Sequence, residues 1–284
     1  MNVNKELLPS EEDLKSFHEK GWYKTGSIFS DEEINAAVKG ANDFYNGIID
    51  FPLFNKEGLA DDMSGEEAKI RNNEFTTLQK KELRALGWHP HIREIAKVLT
   101  GSSEIRLFAD SLITKLPAKK ASTGSVGWHS DKAYWPTCTS NKLLTVWIPL
   151  QDCTIDMGPL VYIDGSHKWK DEKELRSYFS FNNQDLLSFE NYLDEKKQGY
   201  KKSFMTLKKG QACFHSCHTI HSSYPNVSEI SRLALAVHLQ DDSNKYQEAF
   251  HPDGKKIVIG YDKVCSKDLN GNPNYKDNKV FPLL

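Results

Sequence analysis

From about residue 104 the chain breaks into short runs of β-branched and aromatic residues, and this change of texture restricts the fold more than any other feature. The runs EIRLFADSLITKLP, KLLTVWIPLQDC, PLVYIDGSH, FMTLKKGQACFH and RLALAVHLQ are separated by Gly, Pro, Asn and Asp. Segments of that kind read as strands bounded by turns. No helical pattern alternates with them, which argues against a doubly wound parallel sheet. Many short strands with turn signals predict a sandwich or jelly roll instead. A polar insertion over about 168–200 interrupts the series, and its DLLSFENYLDEKK portion has helical character.

The first hundred residues read differently. Pro9-Ser10-Glu11-Glu12-Asp13 opens a helix through LKSFHEKGW. Ser30-Asp31-Glu32-Glu33 is a capping box, in which side chain and backbone at each end satisfy one another. Ser64-Gly65-Glu66-Glu67 repeats it more weakly, and HPHIREIAKVLTG reads as a helix closed by Gly101. Internal repeats and low-complexity linkers are missing. The expected architecture is one domain over 1–284 and mainly β: a mostly helical part (1–103) packed on a β core (104–242), then a turn-rich tail (243–284) over the core or the site mouth.

Composition narrows the function classes. A chain of 284 residues can bury a sizeable core. Its 37 basic and 39 acidic residues leave a formal charge of -2, so no global field favours nucleic acid or an anionic membrane. No apolar run reaches the roughly 18 residues of a membrane span, and the N-terminal residues lack the apolar centre of a secretory signal. Five cysteines, an odd number, favour free thiols in a reducing compartment. A cytoplasmic protein acting on a small molecule, with no nucleic-acid or membrane partner, is the expectation.

Candidate chemistry begins with Trp128-His129-Ser130-Asp131. Two His and one carboxylate on one face of iron(II) leave positions open for a cosubstrate and dioxygen. On an extended strand, residues i and i+2 project from the same face with Cα atoms roughly 6.5 Å apart. His251-Pro252-Asp253 has the same spacing, but its Pro and the following Gly254 read as a turn, and no His lies beyond it. About ninety residues after the first pair, GQACFHSCHTIHSSYPNVSEISRLALAVHLQ supplies His215, His218 and His221, and spacing alone does not choose among them. Arg232 opens an apolar strand, where burying it is costly without an anion. A dicarboxylate cosubstrate is such an anion, because guanidinium grips carboxylate in a bidentate fork. A surface pairing with Glu229 is the plainer alternative. Cys213, His215, Cys217 and His218 also suggest a structural zinc site, although no second knuckle completes it.

In order and spacing, over nearly the whole chain, these segments resemble the phytanoyl-CoA dioxygenase family of iron(II)/2-oxoglutarate oxygenases. LKSFHEKGWYKTGSIFSDEEINAA resembles that family's opening helix, first strand and second helix. LITKLPAKKASTGSVGWHSDKAYWP resembles the strand and loop of its His-x-Asp pair, and LLTVWIPLQDCTIDMGPLVYIDGSHKW its next strands and Gly-Ser-His turn. HTIHSSYPNVSEISRLALAVHL resembles its distal-His and Arg segment. The resemblance implies a double-stranded β-helix core with N-terminal helices. It also implies oxidative decarboxylation of 2-oxoglutarate with O2 to succinate and CO2, coupled to hydroxylation or another oxidation of a small substrate such as a natural product, an acyl compound or an amino-acid derivative.

Carried over by position, the resemblance makes His129, Asp131 and His221 the Fe(II) ligands and Arg232 the partner of the far carboxylate of 2-oxoglutarate. Ser223, Trp147 and Thr145 match positions lining the cosubstrate pocket. Asp164 stands where the family usually places Pro before Gly-Ser-His, which leaves the shape of that turn open. Related halogenases carry a small residue in place of the carboxylate ligand, so Asp131 implies hydroxylation, desaturation or a similar oxidation. Tyr134 and Trp135 are expected on the substrate wall, with aromatic core packing as the alternative. Ser111 and Lys115, on the preceding strand, are further wall candidates, and His167 reads as a structural histidine. A non-catalytic β-barrel binder that retains the metal site is the rival function.

Overall fold

The computed structural model describes residues 3–60, 70–118, 124–170, 172–180, 185–197 and 199–284. The helix start expected at Ser64-Gly65-Glu66-Glu67 lies outside them.

The N-terminal helices begin where their caps are. Ser10 starts α1 (Glu11–Lys20) and Ser30 starts α2 (Asp31–Tyr45), each with a reciprocal capping box, to Asp13 and Glu33 respectively. The helix α1 ends at Gly21, whose φ of 85° is left-handed and where a Cβ would collide with His167 and Thr219. Three further helices follow: α3 (Thr76–Gln79), α4 (Lys81–Gly87) and α5 (Pro90–Thr100), the last stopped by Gly101.

Among the described residues, ten strands form two antiparallel sheets: β1 (Trp22–Lys24), β2 (Ile70–Glu74), β3 (Ile105–Lys115), β4 (Val126–His129), β5 (Leu144–Pro149), β6 (Leu160–Ile163), β7 (Lys202–Phe204), β8 (Cys213–Ser216), β9 (His221–Ser223) and β10 (Arg232–Asp241). The larger sheet runs β1-β8-β5-β10-β3-β2 and the smaller β4-β9-β6-β7. This is the jelly roll, or double-stranded β-helix, expected from the punctuated runs. The strand β2 was not expected. Its sequence IRNNE carries no apolar alternation, yet it pairs with β3 and extends the large sheet from within the segment read as helical.

Period-two alternation assigns the faces. In β5 and β10, Leu144, Val146, Ile148, Leu235 and Val237 turn outward and pack with Ile34, Phe44, Leu83, Leu86, Ile92 and Ile95 of the helices. The intervening Thr145, Trp147, Ala234, Ala236 and His238 turn inward. The insertion supplies α7 (Glu172–Leu175) and α8 (Leu187–Lys196), after the one-turn α6 (Asp131–Tyr134). From it Leu175, Leu186, Phe189 and Leu193 cover Trp128, Val161, Ile163 and Ile220 on the outside of the smaller sheet. The tail returns along β3, where Leu284 N donates to Ile105 O and Phe281 is buried in the main core. Its short α9 (Gly260–Val264) brings Tyr261 to the cavity between the sheets. Among the described residues no helix is long and apolar enough to cross a membrane. All five cysteines are buried free thiols.

Candidate metal centre

His129 ends β4 and His221 begins β9, and the two are direct cross-strand partners. Asp131 does not continue the strand as the sequence suggested; it is the first residue of α6. Ser130 between them stays extended (φ -112°, ψ 144°), which preserves the alternation, so imidazole and carboxylate still converge. One ligand atom from each of His129, Asp131 and His221 lies within 4.8 Å of the others, and all three residues are buried. Asp131 Oδ1 is 3.9 Å from His129 Nε2 and 3.7 Å from His221 Nε2.

Hydrogen bonds outside this triad fix which atoms face inward. His129 Nδ1 donates to Gly127 O at 2.7 Å and His221 Nδ1 to Thr219 O at 2.9 Å, which leaves both Nε2 lone pairs directed at the site. Burial pushes both imidazoles below the usual histidine range, His221 furthest because His129 and His215 adjoin it, and favours the neutral form that binds metal. Asp131 Oδ2 accepts from Thr145 Oγ1 at 2.6 Å and from His215 Nε2 at 3.1 Å, leaving Oδ1 for the site. Burial alone would raise the Asp131 carboxyl; His221 and the hydrogen bond from His215 hold it well below the ordinary carboxylate range. The network continues from His215 Nδ1 to the Tyr162 hydroxyl at 2.8 Å and from Thr145 to His238 Nδ1 at 2.8 Å.

Among the described residues this is the only group of three His, Cys, Asp or Glu side chains close enough to share an ion. The zinc alternative does not assemble. His215 is spent on Asp131 and Tyr162, Cys213 lies against the Tyr162 hydroxyl, Cys217 packs in the outer core, and His218 turns to Asn141. His251 and Asp253 sit in an exposed turn, where Gly254 N donates to His251 O.

At the other end of the cavity Arg232 is 1% exposed. Its Nη1 donates to Gly158 O at 2.6 Å, and its guanidinium lies 5.3 Å from the centre of the Trp147 ring. Gly158 is left-handed (φ 63°), and a Cβ there would strike the carbonyls of Tyr224 and Pro225, so the arginine's anchor needs glycine at this turn. Among the described residues no carboxylate pairs with Arg232, and burial pushes its guanidinium down to about 10. Arg232 Nε, Trp147 Nε1 and Ser223 Oγ are buried without a hydrogen-bond partner, and all three residues line the same cavity as the His/Asp/His group. Orphaned buried donors are rare and costly. Two imidazole nitrogens and a carboxylate at one end, with three unpaired donors at the other, fit iron(II) and a dicarboxylate.

The remaining expected residues divide. Thr145, Ser111, Tyr134 and Trp135 all line the cavity. Tyr134 is 41% exposed and meets His129 edge-on, whereas Trp135 also packs into the core on Phe108, so both readings of that aromatic apply. Lys115 does not face the cavity. Its Nζ donates to Ser223 O at 3.0 Å and Tyr224 O at 2.7 Å, and burial beside Arg232 pushes its amine well below the usual lysine range. It braces the strand end that carries Ser223. Asp164 accepts from Trp22 Nε1 at 2.7 Å, and His167 Nε2 bonds His18 O at 3.2 Å, so the Gly-Ser-His turn ties α1 and β1 to the smaller sheet. Sequence reasoning missed Asn72, Glu74 and Tyr261, which also line the cavity, and the support that His215 gives Asp131.

A double-stranded β-helix with this triad between its sheets defines a non-haem iron(II)- and 2-oxoglutarate-dependent dioxygenase. The family model described as phytanoyl-CoA dioxygenase (PhyH) matches residues 17–234. The chain belongs to the phytanoyl-CoA dioxygenase family. It is 27% identical over 227 residues to a probable alpha-ketoglutarate-dependent hypophosphite dioxygenase of Stutzerimonas stutzeri, covering 80% of this chain and 77% of that one. It is 26% identical over 190 residues to the peroxisomal phytanoyl-CoA dioxygenase of Bos taurus, covering 63% and 55%. In fold it is similar to the non-heme alpha ketoglutarate dependent carbocyclase SnoK from nogalamycin biosynthesis, with a TM-score of 0.71 and 21% identity over 97% of this chain and 96% of that one.

Proposed function

We propose that His129, Asp131 and His221 hold iron(II), that Arg232 with Ser223 and Trp147 receives the far carboxylate of 2-oxoglutarate, and that the enzyme oxidises a small organic substrate, by hydroxylation or desaturation, at the end of the cavity walled by Tyr134, Trp135 and Ser111. The observation that carries this reading is Arg232: a fully buried guanidinium with no carboxylate partner among the described residues, opening on the cavity that holds the triad. A buried unpaired charge is expensive, and a bidentate carboxylate offsets the cost.

Iron, when bound, supplies the activation of dioxygen that couples loss of CO2 from 2-oxoglutarate to oxidation of the substrate. The protein's share is placement and exclusion of water. The carbonyls of Gly127 and Thr219 hold the two imidazoles in the ligating tautomer. Thr145 and His215 occupy one oxygen of Asp131, so that the carboxylate offers the other. Ile113, Val126, Leu160 and Ala236 line the space between the polar ends and keep it apolar. The cavity holds about 270 Å³, below the range of about 300–1,000 Å³ common for ligand pockets, and it must also admit 2-oxoglutarate, so the part of the substrate that enters is small.

Release of succinate from 2-oxoglutarate tests this directly. A metal chelator is expected to abolish it and added ferrous iron to restore it. Full turnover by iron-free protein contradicts the proposal, and succinate formation also separates an enzyme from a mere binder.

A further inference from the structure

One carboxyl on the cavity wall has no cationic counterpart among the described residues. Under the proposed reading, on which this inference rests, the two charges of iron(II) are met by Asp131 and one carboxylate of 2-oxoglutarate, and Arg232 meets the other carboxylate. Glu74 is left over. Among the described residues no cation pairs with it.

Burial pushes the Glu74 carboxyl up, so its charge is costly until a cation meets it. The Tyr261 hydroxyl donates to its Oε1 at 2.6 Å and the Ala60 amide to its Oε2 at 2.7 Å. Donors on both oxygens offset part of the cost of burial, and each oxygen keeps capacity for a further donor. Two residues earlier on the same face of β2, the Asn72 side-chain oxygen is buried without a partner and borders the same cavity. Register explains why these groups reach the open space. Glu74 lies opposite Ser111, Ser111 opposite Ala236, and Ala236 opposite Trp147. The two small side chains leave a floor between the carboxylate and the indole. Tyr134, Trp135 and Tyr261 add aromatic surface around it, which suits a cation.

We propose that Glu74 is a specificity-determining residue and that the substrate presents to it, with Asn72 alongside, a cationic nitrogen group bearing N–H donors, such as a primary or secondary ammonium or a guanidinium. Two adjacent acceptors favour N–H donors over a quaternary ammonium. An anionic group at this end meets a like charge. The bound cation completes the charge balance of the cavity and orients the carbon to be oxidised toward the triad.

The test uses the full chain loaded with ferrous iron and 2-oxoglutarate without oxygen, and three shape-matched probes: cyclohexylmethylammonium, cyclohexylmethanol and cyclohexanecarboxylate. Calorimetric titration is expected to give the ammonium an affinity roughly tenfold or more above the other two. Glu74→Gln is expected to erase that preference while iron content and 2-oxoglutarate affinity stay at the wild-type level, and Glu74→Asp to retain part of it. Tighter binding of the carboxylate, no ammonium binding, or an undiminished preference in Glu74→Gln overturns the inference. A wild-type chain that takes up neither iron nor 2-oxoglutarate sinks the underlying reading as well, and that outcome is visible before any probe is added.

Discussion

Replacing Arg232 with Gln is expected to raise KM for 2-oxoglutarate roughly 100-fold or more, while iron content stays at the wild-type level. The size follows from the environment. Truncating one partner of a buried, hydrogen-bonded charge pair costs about 2–5 kcal/mol, and each 1.4 kcal/mol is about tenfold. Arg232 is fully buried, its Nε lacks a partner, and Trp147 covers one face of the guanidinium. Water therefore cannot take over its role cheaply. Iron content is spared because the guanidinium touches Gly158 O and Trp147 but none of the three proposed ligands. Arg232→Lys is expected to fall between the two, since an ammonium keeps the charge and loses the fork. Steady-state kinetics over a range of 2-oxoglutarate concentrations decide the matter. A KM unchanged to within about twofold means that the cosubstrate binds elsewhere.

The second large effect separates two neighbouring histidines. His221→Ala removes one of three proposed ligands and is expected to abolish both stoichiometric iron and turnover. His215→Ala removes a support instead: Asp131 loses the bond to its Oδ2 but keeps Thr145 there and Oδ1 facing the site. Loss of such a partner typically weakens metal affinity about 10–100-fold. His215→Ala protein is therefore expected to fill with iron when ferrous ion is in excess, and His221→Ala protein is not. Iron analysis after gel filtration reads the difference. The reverse pattern means that His215 is the third ligand and His221 the support.

These two residues mark how far the sequence could be read. His129 and Asp131 stood out by spacing, but the identical spacing of His251 and Asp253 shows that it was weak by itself. Arg232 was legible only in part: burying a charge at the head of LALAVHL is costly without an anion, but a surface pairing with Glu229 explained it equally well. His221 was separated from His215 and His218 only by resemblance, since all three precede the same turn. The structure supplies the physical reason for His215: β8 and β5 pair, so that His215 lies opposite Thr145, and both reach the same carboxylate oxygen. That register depends on residues seventy positions apart, and no local pattern encodes it.

Lys115 and Glu74 fail for related reasons. Ser111 and Lys115 were both expected on the substrate wall; Ser111 lines the cavity, but the long side chain of Lys115 reaches the carbonyls of Ser223 and Tyr224 instead. Glu74 sits in IRNNE, a strand with no apolar signature, held to β3 by backbone pairing across more than thirty residues. Tyr261, its hydrogen-bond partner, comes from a turn-rich tail whose sequence offered little. The jelly roll itself was legible because short runs of β-branched and aromatic residues, punctuated by Gly, Pro, Asn and Asp, follow one another from about residue 104. The β2 edge of the larger sheet, made from a polar segment, was not.

The most direct test of the central claim is the visible spectrum of the purified chain under nitrogen, titrated first with ferrous iron and then with 2-oxoglutarate. A keto acid chelated to ferrous iron gives a charge-transfer band that neither component shows alone. The wild-type chain is expected to develop this band with one iron and one 2-oxoglutarate per chain, and Asp131→Ala protein to develop none. No band from the wild-type chain at saturating iron and 2-oxoglutarate, or an equal band from Asp131→Ala, contradicts the assignment of the centre.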